Sequence, residues 1–173
     1  MNIMDKLWQR HLTLMHDSAE TLGHILKNTT QEQATTLRDG PEGWTILEVV
    51  CHLRDADIIF RQRAEMMLVD DNPILPAFDH DQLVIEKAYN EGELAYAYDE
   101  FHNSREETIA VFSRITAAQR ERLGQHPHKS GFTLTHAVMQ VGHHDIDHIE
   151  QITRILEQEV PGSGALPSEK LDE

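Results

Sequence analysis

The spacing of apolar residues along this chain is predominantly helical. Apolar side chains recur three and four positions apart over four long stretches, which is the pattern of amphipathic helices. These stretches cover residues 3–28, 45–69, 92–114 and 133–158. Residues 70–88, with Pro73 and Pro76, interrupt the pattern and predict a long connection between the second and third helices. No strand-like alternation stands out, so the sequence predicts an all-α four-helix bundle.

The same spacing predicts which side of each helix is buried. In the first helix, the predicted buried positions are Ile3, Leu7, His11, Leu14, Ser18, Leu22, Ile25 and Leu26. In the second helix, they are Ile46, Val49, Val50, Leu53, Asp57, Phe60, Ala64 and Met67. The pattern TILE at residues 45–48 predicts a capping box that begins this second helix.

Length and composition add a domain boundary and exclude several functions. The 173 residues fit one bundle domain, predicted over residues 1–158, followed by a disordered tail over residues 159–173. A net charge of −15 argues against binding to nucleic acids or to anionic membrane surfaces. With no membrane-spanning stretch and no signal peptide, a cytoplasmic protein is expected. Cys51 is the only cysteine, which excludes an internal disulfide.

Two histidines occupy the apolar stripe of the fourth helix. The stripe consists of Ala137, Val141, His144, His148, Ile152 and Ile155. Residues four apart lie about 5–6 Å from each other on one helix face, so both imidazoles can reach a single point. Each buried imidazole without a partner would cost about 1–3 kcal/mol. A divalent metal would provide that partner, and hydrogen bonds from neighbouring helices are the alternative.

A third histidine on the second helix extends this pattern. His52 lies beside the apolar stripe of that helix, so His52, His144 and His148 together would form a site with three protein ligands. Three ligands leave one position open, as in catalytic metal sites, and a bound water or thiol is expected there. Carboxylates close to these histidines could accept their second N–H; the candidates are Glu48, Asp55, Asp145 and Asp147.

Two sequence motifs resemble a known family. GWTILEVVCHLRDAD at residues 43–57 resembles the second-helix signature of the DinB/YfiT-like superfamily, and HDIDHIEQI at 144–152 resembles its last-helix motif. FDHDQ at 78–82 and GQHPHKSGFTL at 124–134 are similar to the DinB_2 branch. The resemblance implies a down-up-up-down bundle and one divalent metal, nickel, zinc or iron, on His52, His144 and His148. It also implies a homodimer.

The resemblance and the residues leave several functions open. Relatives in the family include transferases that act on low-molecular-weight thiols, so a metal-dependent thiol S-transferase acting on a small molecule is the first expectation. A metal-dependent hydrolase is its near variant, since a bound metal can activate either a thiol or a water. The alternatives are a non-catalytic bundle that binds a metal or a small molecule, and a helical scaffold whose histidines are held by hydrogen bonds.

Overall fold

Four long helices dominate the computed structural model, which describes residues 2–158. They are α1 (Ile3–Leu26), α3 (Ile46–Val69), α5 (Leu94–Ser113) and α6 (Leu134–Glu157). The prediction of an all-α four-helix bundle is therefore confirmed, with helix ends close to the predicted ones. The predicted tail at 159–173 lies outside the described residues.

Local capping interactions explain where the helices begin. At the start of α3, the Thr45 side chain accepts from the Glu48 N–H at 3.1 Å, and Glu48 accepts from the Thr45 N–H at 2.7 Å. This is the capping box that the TILE pattern predicts. Thr133 forms a similar box with His136 at the start of α6, because an imidazole nitrogen can accept where a glutamate usually does.

Several short elements were not predicted from the hydrophobic pattern. Two are helices, α2 (Gln31–Thr36) and α4 (His80–Glu86), and Tyr89–Glu91 forms a single 3-10 turn. A two-residue antiparallel pair joins β1 (Leu123–Gly124) to β2 (Phe132–Thr133). Elements this short do not complete enough turns or alternations to produce a recognisable period.

Side-chain contacts establish the relative directions of the helices. Arg54 and Arg61 of α3 contact Glu100 and Glu107 of α5, so these two helices run parallel. Against α6, the order reverses, because His52 lies against His148 while Phe60 lies against His144. Parallel helices cannot be joined by a short turn. The connection between α3 and α5, which contains α4, therefore runs back along the bundle.

The buried face of α3 agrees with the prediction, whereas that of α1 agrees only in part: Ser18, Leu22 and Leu26 are buried, and His11, Leu14 and Ile25 are half-buried. All eight positions predicted for α3 are buried. In α1, however, Ile3 and Leu7 are exposed, and Trp8, Leu12 and Met15 are buried in their place. The large indole of Trp8 packs against Phe112, with ring centroids 6.3 Å apart. Burying an indole removes more apolar surface than burying Ile3 or Leu7, so the helix is rotated relative to the predicted stripe.

A polar layer crosses the interior between two apolar clusters. One cluster includes Leu22, Phe101 and Ile152, and the other includes Met15, Phe112 and Val141. The layer between them consists of buried polar and charged side chains: Ser18, Asp57, Ser104, Arg105, Thr108 and Asp145. Asp57, an acidic residue on a predicted apolar stripe, accepts from Arg105 at 2.7 Å and therefore has a buried counter-charge.

Across residues 2–158, no helix combines the length with the apolar character that spanning a bilayer requires.

Candidate metal centre

Helices α3 and α6 bring His52, His144 and His148 together. One ligand nitrogen from each of the three lies within 4.8 Å of the others. The Nε2 atoms of His52 and His144 are 3.1 Å apart. Two such nitrogens can share one proton in a hydrogen bond or direct both lone pairs at one cation. With metal–nitrogen bonds of about 2.0–2.1 Å, ligand nitrogens in a tetrahedral site lie about 3.3 Å apart, so the cluster fits a metal after small side-chain shifts.

Burial keeps these histidines in the neutral form that ligates metals. Burial and the neighbouring His148 and His80 lower the pKa of His52 to about 3. Burial and the nearby imidazoles also lower the pKa of His144 well below its ordinary value. The pKa of His148 is lowered by burial as well. Neutral imidazoles at physiological pH have a free lone pair, so no proton has to be displaced before a metal binds.

These lowered pKa values predict how the metal-free protein responds to acid. In the unfolded chain, each histidine titrates near pH 6.5, whereas His52 in the folded state titrates at about 3. As the pH falls through this window, the unfolded state binds more protons. The contribution of each such histidine to the free energy of unfolding should therefore be fully present above about pH 6.5. Below that pH it should decline by up to about 1.4 kcal/mol per pH unit for each group.

The test uses His144→Leu, which removes one of these groups. We expect urea unfolding of this metal-free variant to depend less steeply on pH than that of the metal-free wild type between about pH 6.5 and 5. Unfolding of the wild type and the variant would be measured in the presence of a chelator. Identical slopes for the two proteins would show that His144 titrates normally in the folded state.

Aromatic rings and a fourth histidine surround the cluster. Trp44 lies against His52 with ring centroids 4.9 Å apart, and Phe60 packs edge-on against His144 at 5.3 Å. His80, at the beginning of α4, packs edge-on against His52 at 4.7 Å. The spacing of His80 in the sequence did not predict this position. Only the folding of the α3–α5 connection over the bundle brings it there.

A chain of polar side chains orients His148. Its Nδ1 atom lies 2.8 Å from Oε1 of Gln151, which can only accept a hydrogen bond. His148 is therefore protonated at Nδ1 and has its Nε2 lone pair free. The Nε2 group of Gln151 donates to Asp39 at 3.0 Å, which determines the orientation of the amide, and Arg154 holds Asp39 in an ion pair.

We expect Gln151→Leu to weaken metal binding by about 10- to 100-fold, the usual effect of removing a hydrogen-bond partner of a ligand histidine. Leucine has similar volume but cannot accept from Nδ1, so the His148 tautomer would no longer be determined. The dissociation constant would be measured by competition with a chromophoric chelator. Gln140→Leu, on the same helix, is the control: the side-chain oxygen of Gln140 has no hydrogen-bond partner among the described residues, so this variant should retain wild-type affinity. Equal affinity of the Gln151 variant and wild type would contradict the orienting role.

The carboxylates predicted to accept from the histidines form other contacts. Glu48 caps α3, and Asp55 binds Lys87 at 2.6 Å and the hydroxyl of Tyr89, which attaches the α3–α5 connection to α3. Asp145 pairs with Arg105 in the polar layer, and Asp147 is exposed. Within residues 2–158, the hydrogen-bond partner of the cluster from outside it is instead the amide of Gln151, which accepts from His148. Its position three residues after His148 was the available sequence signal.

Comparison with known proteins identifies the family. The profile of the DinB superfamily matches residues 14–152. Two Oceanobacillus iheyensis proteins are similar. "Putative metal-dependent hydrolase OB0413" is 24% identical over 132 residues, covering 76% of this chain and 75% of that protein. "Putative metal-dependent hydrolase OB0782" is 23% identical over 142 residues, covering 79% and 80%.

The fold is also that of a solved structure. YfiT from Bacillus subtilis, described as "a probable metal-dependent hydrolase with an unusual four-helix bundle topology", superimposes with a TM-score of 0.83 at 20% identity. The match covers 91% of this chain and 90% of YfiT. Because the family profile spans most of the sequence and the bundle topology agrees, this chain belongs to the DinB superfamily.

Proposed function

We propose that this chain is a metal-dependent enzyme that acts on a small molecule at a site formed by His52, His144 and His148. The observation that carries the proposal is the convergence of three ligand nitrogens within 4.8 Å of one another. Imidazole donors suit nickel, zinc and iron, and we propose one such divalent ion per chain. The relatives named as metal-dependent hydrolases support this reading and favour hydrolysis as the reaction.

The residues around the cluster keep its imidazoles neutral, oriented and partly shielded from water. Lowered pKa values keep all three imidazoles neutral, and Gln151 keeps the Nε2 atom of His148 directed at the site. Trp44 and Phe60 shield two sides from water, which strengthens electrostatic interactions inside. A divalent metal bound there would act as a Lewis acid and lower the pKa of a water or thiol at the open position.

Transfer of a low-molecular-weight thiol is the second candidate reaction. Within the described residues, no carboxylate hydrogen-bonds the three histidines, and the titratable side chain that packs edge-on against the cluster, at His52, is His80. Hydrolysis benefits from a general base within reach of the attacking water. A thiol that has lost its proton on binding needs no further base, so a site without an adjacent carboxylate is also compatible with thiol transfer.

The test combines metal removal with a substrate panel. Chelated and metal-reconstituted protein would be assayed on esters, amides and phosphoesters, and on thiols paired with an electrophile. We expect turnover that disappears on chelation, returns with one of the three metals, and is absent in His148→Ala. The class of substrate that turns over distinguishes hydrolysis from thiol transfer. Turnover that is equal in His148→Ala, or a wild-type protein that binds no metal, would reject the proposal.

We further propose that the protein is a homodimer. Large apolar side chains remain exposed on the neighbouring helices α1 and α6: Ile3, Met4, Leu7, Met139 and Ile146. Covering them with a second copy would remove this surface from water, and light scattering would give the mass of the assembly.

A further inference from the structure

Three arginines of α3, all after His52 in sequence, differ in their partners. Arg54 pairs with Asp55 and Glu100, both at 2.8 Å. Arg61 pairs with Glu107 at 2.9 Å. Arg63 forms no ion pair with any carboxylate among residues 2–158, although it is one of the few buried charged residues in that range, with 8% of the residue exposed.

The guanidinium of Arg63 has more buried N–H donors than the surrounding residues have hydrogen-bond acceptors. Its Nη2 group donates to the Pro76 carbonyl at 2.5 Å, and its Nη1 group lies 3.1 Å from Nε2 of His126. The Nε–H group is buried and has no partner in the described structure. The backbone N–H of His128 also points at His126, at its Nδ1 atom. A neutral imidazole has one lone pair available for hydrogen bonding, so His126 can accept from only one of these two donors.

The other deeply buried arginine shows how a guanidinium is normally stabilised in this fold. Arg105 is 1% exposed and forms hydrogen bonds with both Asp57 and Asp145. Buried charges are ordinarily paired in this way, because desolvation of an unpaired ion costs several kcal/mol. Asp79, the acidic residue next to Phe78 in sequence, accepts from the Gln82 N–H and caps α4 instead.

Arg63 is connected to the three-histidine site through the residues that precede and begin α4. Its guanidinium lies over the ring of Phe78, 5.6 Å from the ring centroid. Two residues later, His80 packs against His52. One segment therefore contacts both Arg63 and a proposed metal ligand.

We infer that Arg63 binds an anionic group, a carboxylate, of the small molecule that is acted on at His52, His144 and His148. The inference rests on the proposed function for the location of the reacting group. The carboxylate would accept from the free Nε–H of Arg63 and provide the missing counter-charge. Substrates of the enzyme would accordingly be carboxylic acids with the carboxylate at one end of the molecule and the reactive group at the other.

The binding test uses thiols as metal-directed probes, with and without a carboxylate. Zinc-loaded protein would be titrated calorimetrically with 3-mercaptopropionate and 6-mercaptohexanoate and with their methyl esters. We expect at least one acid to bind wild type about tenfold or more tightly than its ester, the usual size of a charge-assisted hydrogen bond. Arg63→Met should lose this preference and bind the esters as wild type does. Arg61→Met removes the same charge from the same helix and should keep it.

A second measurement does not depend on metal. In metal-free protein, the side-chain Nε–H resonance of Arg63, assigned by its absence in Arg63→Lys, should shift saturably on titration with propionate. The corresponding resonance of Arg61 should not.

The two measurements separate the two proposals. Failure of wild type to bind metal or any ester would count against the proposed function, and the propionate titration would still test Arg63. No preference for the acids in wild type, a preference that survives in Arg63→Met, or an unshifted Arg63 resonance would each overturn the inference.

Discussion

Alanine at His52, at His144 or at His148 is expected to lower metal affinity by more than about 100-fold. Replacing a partner of a ligand histidine already costs about 10- to 100-fold, and removing a ligand leaves only two donors. Elemental analysis of untagged protein should find about one divalent metal per chain in wild type and almost none in each variant.

The exposed neighbour of the cluster provides the matched control for these variants. His143 precedes His144 in sequence but is exposed, and its Nδ1 atom lies 2.7 Å from the Met139 carbonyl. His143→Ala should therefore retain the metal content of wild type. Equal metal content in wild type and in all three cluster variants would show that these histidines do not hold the ion. No metal in wild type, even after reconstitution, would favour a scaffold with hydrogen-bonded histidines.

Arg105→Met is expected to destabilise the bundle by about 3–5 kcal/mol, a large part of the stability of a typical domain. The guanidinium donates to Asp57 at 2.7 Å and to Asp145 at 2.5 and 2.9 Å, and all three residues are almost fully buried. Removing it leaves two carboxylates in the interior without a counter-charge. The change would appear as a lower midpoint of urea unfolding, followed by circular dichroism.

A more exposed ion pair provides the comparison. Arg154 pairs with Asp39 at 2.9 Å, and half of the Arg154 side chain is exposed. Because water screens such a pair, Arg154→Met should change stability by no more than about 1 kcal/mol. A similarly small change in Arg105→Met would mean that the two aspartates are accommodated without their partner, and the polar layer would then not be a stabilising feature.

Much of the fold could be predicted because helices are specified locally. The ranges of the four long helices follow from a repeat of apolar residues that each segment carries by itself, and the capping box at Thr45 needs only residues within one turn. The buried face of α1 was predicted incorrectly in its first turns. Ile3 and Leu7 follow the apolar repeat but are exposed, whereas Trp8 does not follow it but is buried. The packing of Trp8 against Phe112 decides that rotation, and Phe112 is distant in sequence.

Some residues of the candidate site could be predicted from local sequence, and others could not. His144 and His148 were predicted from spacing within one helix, and His52 from its place on another together with the family resemblance. His80, Asp39 and Arg63 could not be assigned in this way. His80 and Asp39 lie outside the long helices, and Arg63 differs from Arg54 and Arg61 only in what surrounds it after folding.

Local sequence pattern alone specifies four long amphipathic helices and places histidines on the faces that α3 and α6 bury. Local spacing suffices for both, because a helix places residues three and four apart on one side whatever it later packs against. Which polar groups complete the site depends on the packing of the folded chain: Gln151 with Asp39 lies behind His148, and His80 lies against His52. The same packing gives Asp57 and Asp145 a buried counter-charge and gives Arg63 none within residues 2–158. Such pairings depend on contacts between residues far apart in the chain, which no local pattern encodes.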